Sequence, residues 1–486
     1  MNKIPKSELI KIAVTGHTNT GKTTMIQTLM KQEIGEIDDR ANVTKDVQFA
    51  PYEYEGLQAV FIDTPGFQQA NTLLLIKKGK IELDSELEEE LEYEIKTWKA
   101  IESSDVILYV VSLETVPDIS HRKEIELILS TKKEAVALFN KSISLFQVAT
   151  ESDVIARPTT RIEQWEKVLR DSGVSKSFVF DAHWYDPERV VDIYNAIKEC
   201  LPNDKSLLFE KGLLAFKQHQ QYRVRKACNL IFECLDKCRQ IITVQASEFD
   251  YNLDKSKEKA ILGISTLIHG AVLEFIIDAS KLYYDLVVPS NAGDAVIKNP
   301  EPNIKTKTNI RELLISTTST TSGLAALGAT FGAAIGASTS AVLAGGVGII
   351  SGTWIGTQVG SVIGTCLGGI WGIVDSPQDI NVQISREAFS RIQYLCITII
   401  WALSQHGYGA GKKLDESVMA RRYDIAQKVC TATNFDWFSA NEEQIIDQCA
   451  KNLSELNQIP LAHIANTEPD TNVQNPPADN LEKEEV

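Results

Sequence analysis

Lysine and arginine are in short supply. They number 49 against 65 aspartates and glutamates in 486 residues, leaving a formal charge of -16 and a pI near 5.1. Affinity for phosphate backbones rests on clustered basic side chains, so this balance argues against a nucleic-acid partner. Paired cysteines are also lacking: the eight cysteines, among them Cys228, Cys234 and Cys238, stand singly, without C-x2-C or a histidine at ligand spacing. This argues against a zinc site and points to buried free thiols in a reducing compartment. Met1 to Leu9 holds no apolar core of signal-peptide length, so the chain is expected to begin in the cytosol. One long stretch lacks charge altogether. No charged residue occurs between Glu312 and Asp375, and small residues recur at every fourth position from Gly328, Gly332 and Gly336 to Gly368 and Gly372.

Glycine costs about 1 kcal/mol per helical residue relative to alanine, so such a row is expensive in a soluble helix. Between membrane helices the same row permits close backbone approach. The uncharged segment 313–374 can supply two crossings of ~20 residues each, starting near Gly323 and turning near Gly345-Gly346. Lys305, Lys307 and Arg311 suit a cytosolic flank. The expected arrangement is a glycine-zipper hydrophobic hairpin that meets a lipid membrane through 323–374. The alternative is a Gly/Ala-rich hairpin buried in a soluble helical domain, which the polar Thr353, Gln358 and Thr365 favour.

Toward the N-terminus the apolar run Ile10 to Val14 leads into Gly16-His17-Thr18-Asn19-Thr20-Gly21-Lys22-Thr23-Thr24 and then a helix-like segment. The spacing Gly16-x4-Gly21-Lys22-Thr23 predicts a loop whose backbone N–H groups cradle phosphates at a helix N-terminus. Lys22 is placed to reach the β- and γ-phosphates and the Thr23 hydroxyl to bind Mg²⁺. A second strand, Ala59 to Ile62, ends in Asp63-Thr64-Pro65-Gly66, where the carboxylate serves the magnesium shell and the Gly66 N–H senses the γ-phosphate. Between them, Asp39 to Thr44 reads as a switch loop, with the Thr44 hydroxyl closing on Mg²⁺. The catalytic set is therefore Lys22, Thr44 and Gly66.

Further on, strands at 105–111 and 135–139 are followed by Asn140-Lys141-Ser142-Ile143. Asn140 and Lys141 can pack around a base. Asp181, after Phe178 to Phe180, can reach the base from the last loop, with the Ala182 N–H toward its carbonyl; the bland alternative is that Asp181 merely ends a strand.

In these motifs the first two hundred or so residues resemble the Era/MnmE-like branch of the translation-factor class of GTPases. The resemblance implies a Ras-like P-loop domain, a mostly parallel sheet flanked by helices, with GTP or GDP and Mg²⁺ as ligands. Phe67 stands where Ras-like proteins have a water-orienting glutamine, a departure shared by that branch. Asn19 stands where cation-dependent members place an asparagine that helps hold K⁺; a turn-compatible loop residue is the other reading. Ile143 replaces the aspartate of N-K-x-D that reads guanine, which puts strict GTP preference in doubt. A homodimer through the GTPase domains is a further expectation.

The order of parts, from about Lys11 to Gly409, also resembles a bacterial family in which an Era-like GTPase domain precedes a helical half of undefined function with a central Gly/Ala-rich stretch. The expected domains are a GTPase domain at 8–203, an all-α domain at 204–462 and a disordered acidic tail at 463–486. Two long helices are expected across 205–288, and the Glu-rich run Glu86 to Glu94 reads as a solvated helix face in an enlarged second switch. These readings converge on a GTP-hydrolysing switch on the cytoplasmic side of the cell membrane, or free in the cytoplasm. The alternatives are a nucleotide-binding membrane oligomer with little turnover, and a soluble NTPase switch with the Gly-rich hairpin in its own core.

Overall fold

Short apolar runs separated by amphipathic segments build the N-terminal part of the chain. The computed structural model describes residues 9–31, 48–52, 59–143, 156–245, 253–284, 373–376, 379–410 and 416–459, and the single positions 354, 358 and 464. Thr44 and the Asp39–Thr44 loop lie outside these residues, as does the uncharged Gly-rich segment apart from Trp354, Gln358, Ile373 and Val374.

Strand β1 (Ile10–Thr15) leads through the Gly16–Gly21 loop into helix α1 (Lys22–Met30). Strands β2 (Gln48–Tyr52) and β3 (Ala59–Asp63) follow, then α2 (Ala70–Lys77), α3 (Ser85–Glu90) and α4 (Glu92–Glu102). The domain continues with β4 (Val106–Ser112), α5 (Ile119–Leu129), β5 (Ala135–Asn140), α6 (Ala156–Ser172), β6 (Lys176–Val179) and α7 (Pro187–Cys200). The sheet order is β2-β3-β1-β4-β5-β6, parallel except for the antiparallel edge strand β2. Every residue of β3, β4 and β5 is buried, as a parallel sheet covered on both faces requires.

Side chains alternate between two cores. Ile12, Val14, Leu108 and Val110 face α1 and α7, meeting Met25, Ile26, Ile193 and Tyr194. Ala13, Ile107, Tyr109 and Val111 face the other way, toward Leu73, Trp98, Ile125 and Trp165 of α2, α4, α5 and α6. β1 lies between β3 and β4, so the chain reverses direction across the sheet there. Open α/β sheets bind ligands at the carboxyl ends of strands at such a point.

Helix α8 (Asn203–Cys238) starts at the expected domain boundary yet serves both sides of it. Its early residues Phe209, Leu213 and Phe216 complete the core of the α/β domain, whereas Cys228, Ile231, Cys234 and Leu235 enter the core of the helical half. At 1.5 Å per residue this rod is about 54 Å long. The helical half adds α9 (Leu253–Tyr284), α10 (Arg386–Gln405), α11 (Glu416–Ala432) and α12 (Glu442–Asn457). α10 is its centre, buried on all sides from Leu395 to Leu403.

The all-α expectation needs correcting. Strands β7 (Ile242–Gln245), β8 (Ile373–Ser376) and β9 (Asp379–Val382) form a three-stranded antiparallel sheet in order β7-β9-β8. Ile373 and Val374, which close the uncharged segment, belong to a strand and not to a hairpin helix. Among the described residues, no helix is long and apolar enough to cross a membrane. The thiols of Cys200, Cys228, Cys234, Cys238, Cys396, Cys430 and Cys449 are free and buried.

Candidate nucleotide site

Gly16 has φ +147, and a Cβ on it would strike the Val110 carbonyl, so the loop can leave β1 and hug β4 only with glycine here. Asn19 takes the left-handed conformation, φ +63, which asparagine tolerates better than most residues. The Thr20 hydroxyl donates to the His17 carbonyl at 3.0 Å and braces the loop from inside. Gly21 is the N-cap of α1 and offers no side-chain cap, so the first N–H groups of the helix are left for an anion. Thr24 continues the first turn. Lys22 lies over the loop, its ammonium 3.3 Å from the Gly16 carbonyl and 3.0 Å from that of His17. Burial lowers its pKa, an effect opposed by the negative Asp63.

Thr23 and Asp63, which the sequence marks as expected magnesium ligands, meet directly. The Thr23 hydroxyl donates to Asp63 Oδ2 at 2.6 Å. The other oxygen, Oδ1, is buried and has no hydrogen-bond partner among the described residues. Burial pushes the Asp63 carboxyl up to about 6, against the pull of Thr23 and Lys22. A hydroxyl beside a dehydrated carboxylate with an unused oxygen is a donor set that suits a small hard cation.

The segment after Asp63 is strapped to the phosphate loop. Phe67 N–H donates to the Gly16 carbonyl at 3.3 Å and the Thr18 hydroxyl to the Phe67 carbonyl at 3.3 Å. A Cβ on Gly66 would stand 2.6 Å from Thr18 Cα and 3.0 Å from Lys22 Nζ, so glycine is what lets this backbone approach the lysine. Phe67 is fully buried in the sheet core.

At the base end, Asn140 ties two loops together: Nδ2 donates to the Thr20 carbonyl at 2.8 Å, and Oδ1 accepts from Ala182 N–H at 2.8 Å. Lys141 has φ +59 and pairs with Glu114 at 2.9 Å. Asp181 sits beside the backbone of Ile143, accepting from Ile143 N–H at 2.9 Å and the Ser142 hydroxyl at 3.0 Å. Its other oxygen meets His183 N–H at 3.0 Å and the His183 ring at 2.8 Å. The carboxylate therefore stands next to the N-K-x-D position, with its acceptor sites used by the protein. The Ala182 N–H, expected to face a base carbonyl, is directed to Asn140.

Two further groups were not singled out by sequence. Glu124 of α5 is 1% exposed and neither oxygen has a hydrogen-bond partner among the described residues; His17 Nδ1 lies 3.6 Å away. Glu124 holds the His17 imidazole above its usual pKa despite the opposing effect of burial. Glu94 of α4, assigned from its charge run to a solvated face, is buried and accepts from the N–H groups of Gln68 and Gln69. No local pattern marks either carboxylate as pointing inward.

Strand order, phosphate loop and the Thr23–Asp63 contact define a P-loop nucleotide-binding domain. Residues 11–141 match the model of the family described as 50S ribosome-binding GTPase. The chain is 30% identical over 142 residues to the GTPase Der of Chlamydia muridarum, a match covering 29% of this chain and 26% of that protein. It is 27% identical over 193 residues to the GTPase Era of Ureaplasma urealyticum, covering 40% of this chain and 56% of that protein. The solved structure of Aquifex aeolicus Era bound to GDP·AlF4⁻ aligns over 40% of this chain and 57% of that chain, at 16% identity and a TM-score of 0.28. The chain thus spans less than two thirds of the length of each of these relatives. Its N-terminal part, over residues 11–141, is a P-loop GTPase domain similar to those of Der and Era.

Proposed function

We propose that the protein binds GTP with Mg²⁺, hydrolyses it, and passes the nucleotide state to its helical half. The observation that carries this reading is Thr23 against Asp63, with the unpartnered Oδ1 beneath the Lys22 loop. Thr23 and Asp63 would hold the ion, directly or through water, with Thr44 as a further ligand. Bound there, Mg²⁺ would offset charge on the phosphates being separated. Lys22 supplies the cation for the β- and γ-phosphates and the Gly66 N–H reports the γ-phosphate. Calorimetric titration with GTP, GDP and ATP, with and without Mg²⁺, tests this: GTP binding should need Lys22 and tighten with Mg²⁺. Indifference to Mg²⁺ would remove the metal from the reading.

Asn19 is proposed to help hold K⁺ against the phosphates. Its left-handed backbone suits a tight loop, and the branch resemblance supports the ion. Faster turnover in K⁺ than in Na⁺ at equal ionic strength, lost in Asn19→Ala, is the expected result; equal rates leave Asn19 a turn residue.

The helical half is proposed to meet the cytoplasmic face of the cell membrane through 323–374, on the strength of the uncharged, small-residue row. One observation favours the other reading, in which that segment lies against the protein's own helices. Trp354 is 5% exposed inside the helical core, its ring edge-on to Tyr423 with centroids 6.3 Å apart.

A further inference from the structure

The base end of the nucleotide site is built partly from the helical half. Ile143 occupies the place of the guanine-reading aspartate, and it is buried among residues of the helical core together with Trp184. The last loop, 181–185, is bonded to the segment that leaves α10. Tyr185 N–H donates to the Gln405 carbonyl at 2.7 Å, Gly407 N–H to the His183 carbonyl at 2.9 Å, and Gly409 N–H to the Ala182 carbonyl at 2.8 Å. Trp184 and His406 add a β-bridge. Gly407 fits because it has no side chain: a Cβ there would strike the Ala182 carbonyl and stand 2.7 Å from Trp184 N.

Helix α1 joins the same structure at its far end. The Thr28 hydroxyl donates to the Ala182 carbonyl at 2.8 Å and accepts from Tyr408 N–H at 2.9 Å. The Lys31 ammonium, buried at the C-cap of α1, donates to the His406 carbonyl at 2.7 Å and the Ser404 carbonyl at 3.3 Å, and lies 4.2 Å from the centre of the Tyr185 ring. On the other side Arg422 of α11 stacks between Trp184 and Trp401, 4.8 and 4.4 Å from their ring centres. The helix that starts at the phosphate-binding lysine therefore ends on the helical half, and the loop next to the base is held by it.

We infer that Lys31 and the 404–410 segment are positioning elements of the base subsite, so that occupancy of this subsite by the guanine base and docking of the helical half are one linked equilibrium. The linkage reads the base, which GTP and GDP share, and is separate from any γ-phosphate signal sent through Gly66. Linkage is reciprocal: whatever the docked helical half adds to base affinity, the bound base adds to docking.

This rests on the proposed GTP site, and the experiment separates the two. In full-length protein, Lys31→Met should weaken GTP and GDP by the same factor, about tenfold, with kcat unchanged and Lys31→Arg restoring much of the loss. Tripolyphosphate, which fills the phosphate loop but has no base, should compete equally well against wild type and Lys31→Met. Amide exchange of the wild-type protein supplies a readout independent of the variant's folding: GDP should slow exchange at 404–410 as well as at 181–185. Wild type that binds no nucleotide would remove the GTP reading itself. Wild type that binds GDP without slowing exchange at 404–410, or a Lys31→Met loss confined to GTP or shared by tripolyphosphate, would overturn the linkage.

Discussion

Glu94 Oε1 accepts from Gln69 N–H at 3.0 Å and from Gln68 N–H at 3.1 Å, capping the start of α2 from a different helix. Gln69, the N-cap of α2, makes no side-chain cap of its own. From the same helix, the Thr97 hydroxyl donates to the Pro65 carbonyl at 2.9 Å, so α4 grips both ends of the segment around Gly66. Glu94→Ala leaves two N–H groups without their acceptor. It should cost about 1–2 kcal/mol in stability and lower kcat while leaving GDP affinity near wild type. Melting curves and GDP titrations check this; a variant with unchanged melting and unchanged kcat would show the grip to be idle.

If Asp63 holds Mg²⁺, as proposed, it links pH to the metal. Its folded pKa is raised to about 6, so without metal the folded state binds an extra proton between the ordinary carboxylate range and pH 6. Metal-free protein should therefore lose stability as pH rises through that window, by up to about 3 kcal/mol. Mg²⁺ needs the ionised form, so its affinity should fall as pH drops below 6. Asp63→Asn should flatten both profiles, as followed by melting temperature with and without Mg²⁺. A Mg²⁺ affinity constant from pH 5 to 7 would contradict this assignment.

How much was legible follows from how local each signal is. Gly16, Gly21, Lys22, Thr23 and Asp63 announce themselves because phosphate and magnesium chemistry fixes residue types at fixed spacing, and the buried parallel strands show as unbroken apolar runs. Glu94 and Glu124 were hidden: both sit in charged helices, where only tertiary packing decides which carboxylate turns inward. The sheet β7-β9-β8 was missed because Ile242–Gln245 and Asp379–Val382 are short and half polar and pair across a large sequence distance. Ile143 was legible as a missing aspartate, but its burial in the helical core was not. α8 starts at the expected boundary, but the share its first turns take in the α/β core was not legible, because one uninterrupted helical pattern serves two cores.

Glu124 should set the titration of the His17 ring. The His17 pKa is raised, so its contribution to stability is full below the unfolded value near 6.5 and is lost as pH rises through the folded pKa. Glu124→Gln removes the negative partner and should move the His17 ring midpoint down, as read by NMR titration. The neighbouring charges, Lys22 and Asp118, and the adjoining His121 ring remain in place in that variant. An unmoved midpoint would show that Glu124 does not set it.

The Gly-rich segment separates its two readings by mutation. Arginine at Ile349 and Ile363 should block membrane entry, at about 2.5–3.5 kcal/mol per charge near a helix centre. If the segment enters lipid, that double variant leaves the membrane fraction folded and still binds nucleotide. If the segment packs in the helical core, as the burial of Trp354 favours, the same pair unfolds that half and yields aggregate. Flotation of wild-type protein with liposomes in GTP and in GDP completes the test, and failure to float in either state ends the membrane reading.

Turnover of GTP by this chain is read by steady-state phosphate release with GTP and Mg²⁺, beside folded Lys22→Ala. Wild type should release phosphate steadily and only with Mg²⁺, and the variant none above background, because Lys22 is proposed as the loop's side-chain cation for the β- and γ-phosphates. Wild-type release no faster than that of the Lys22 variant would contradict it.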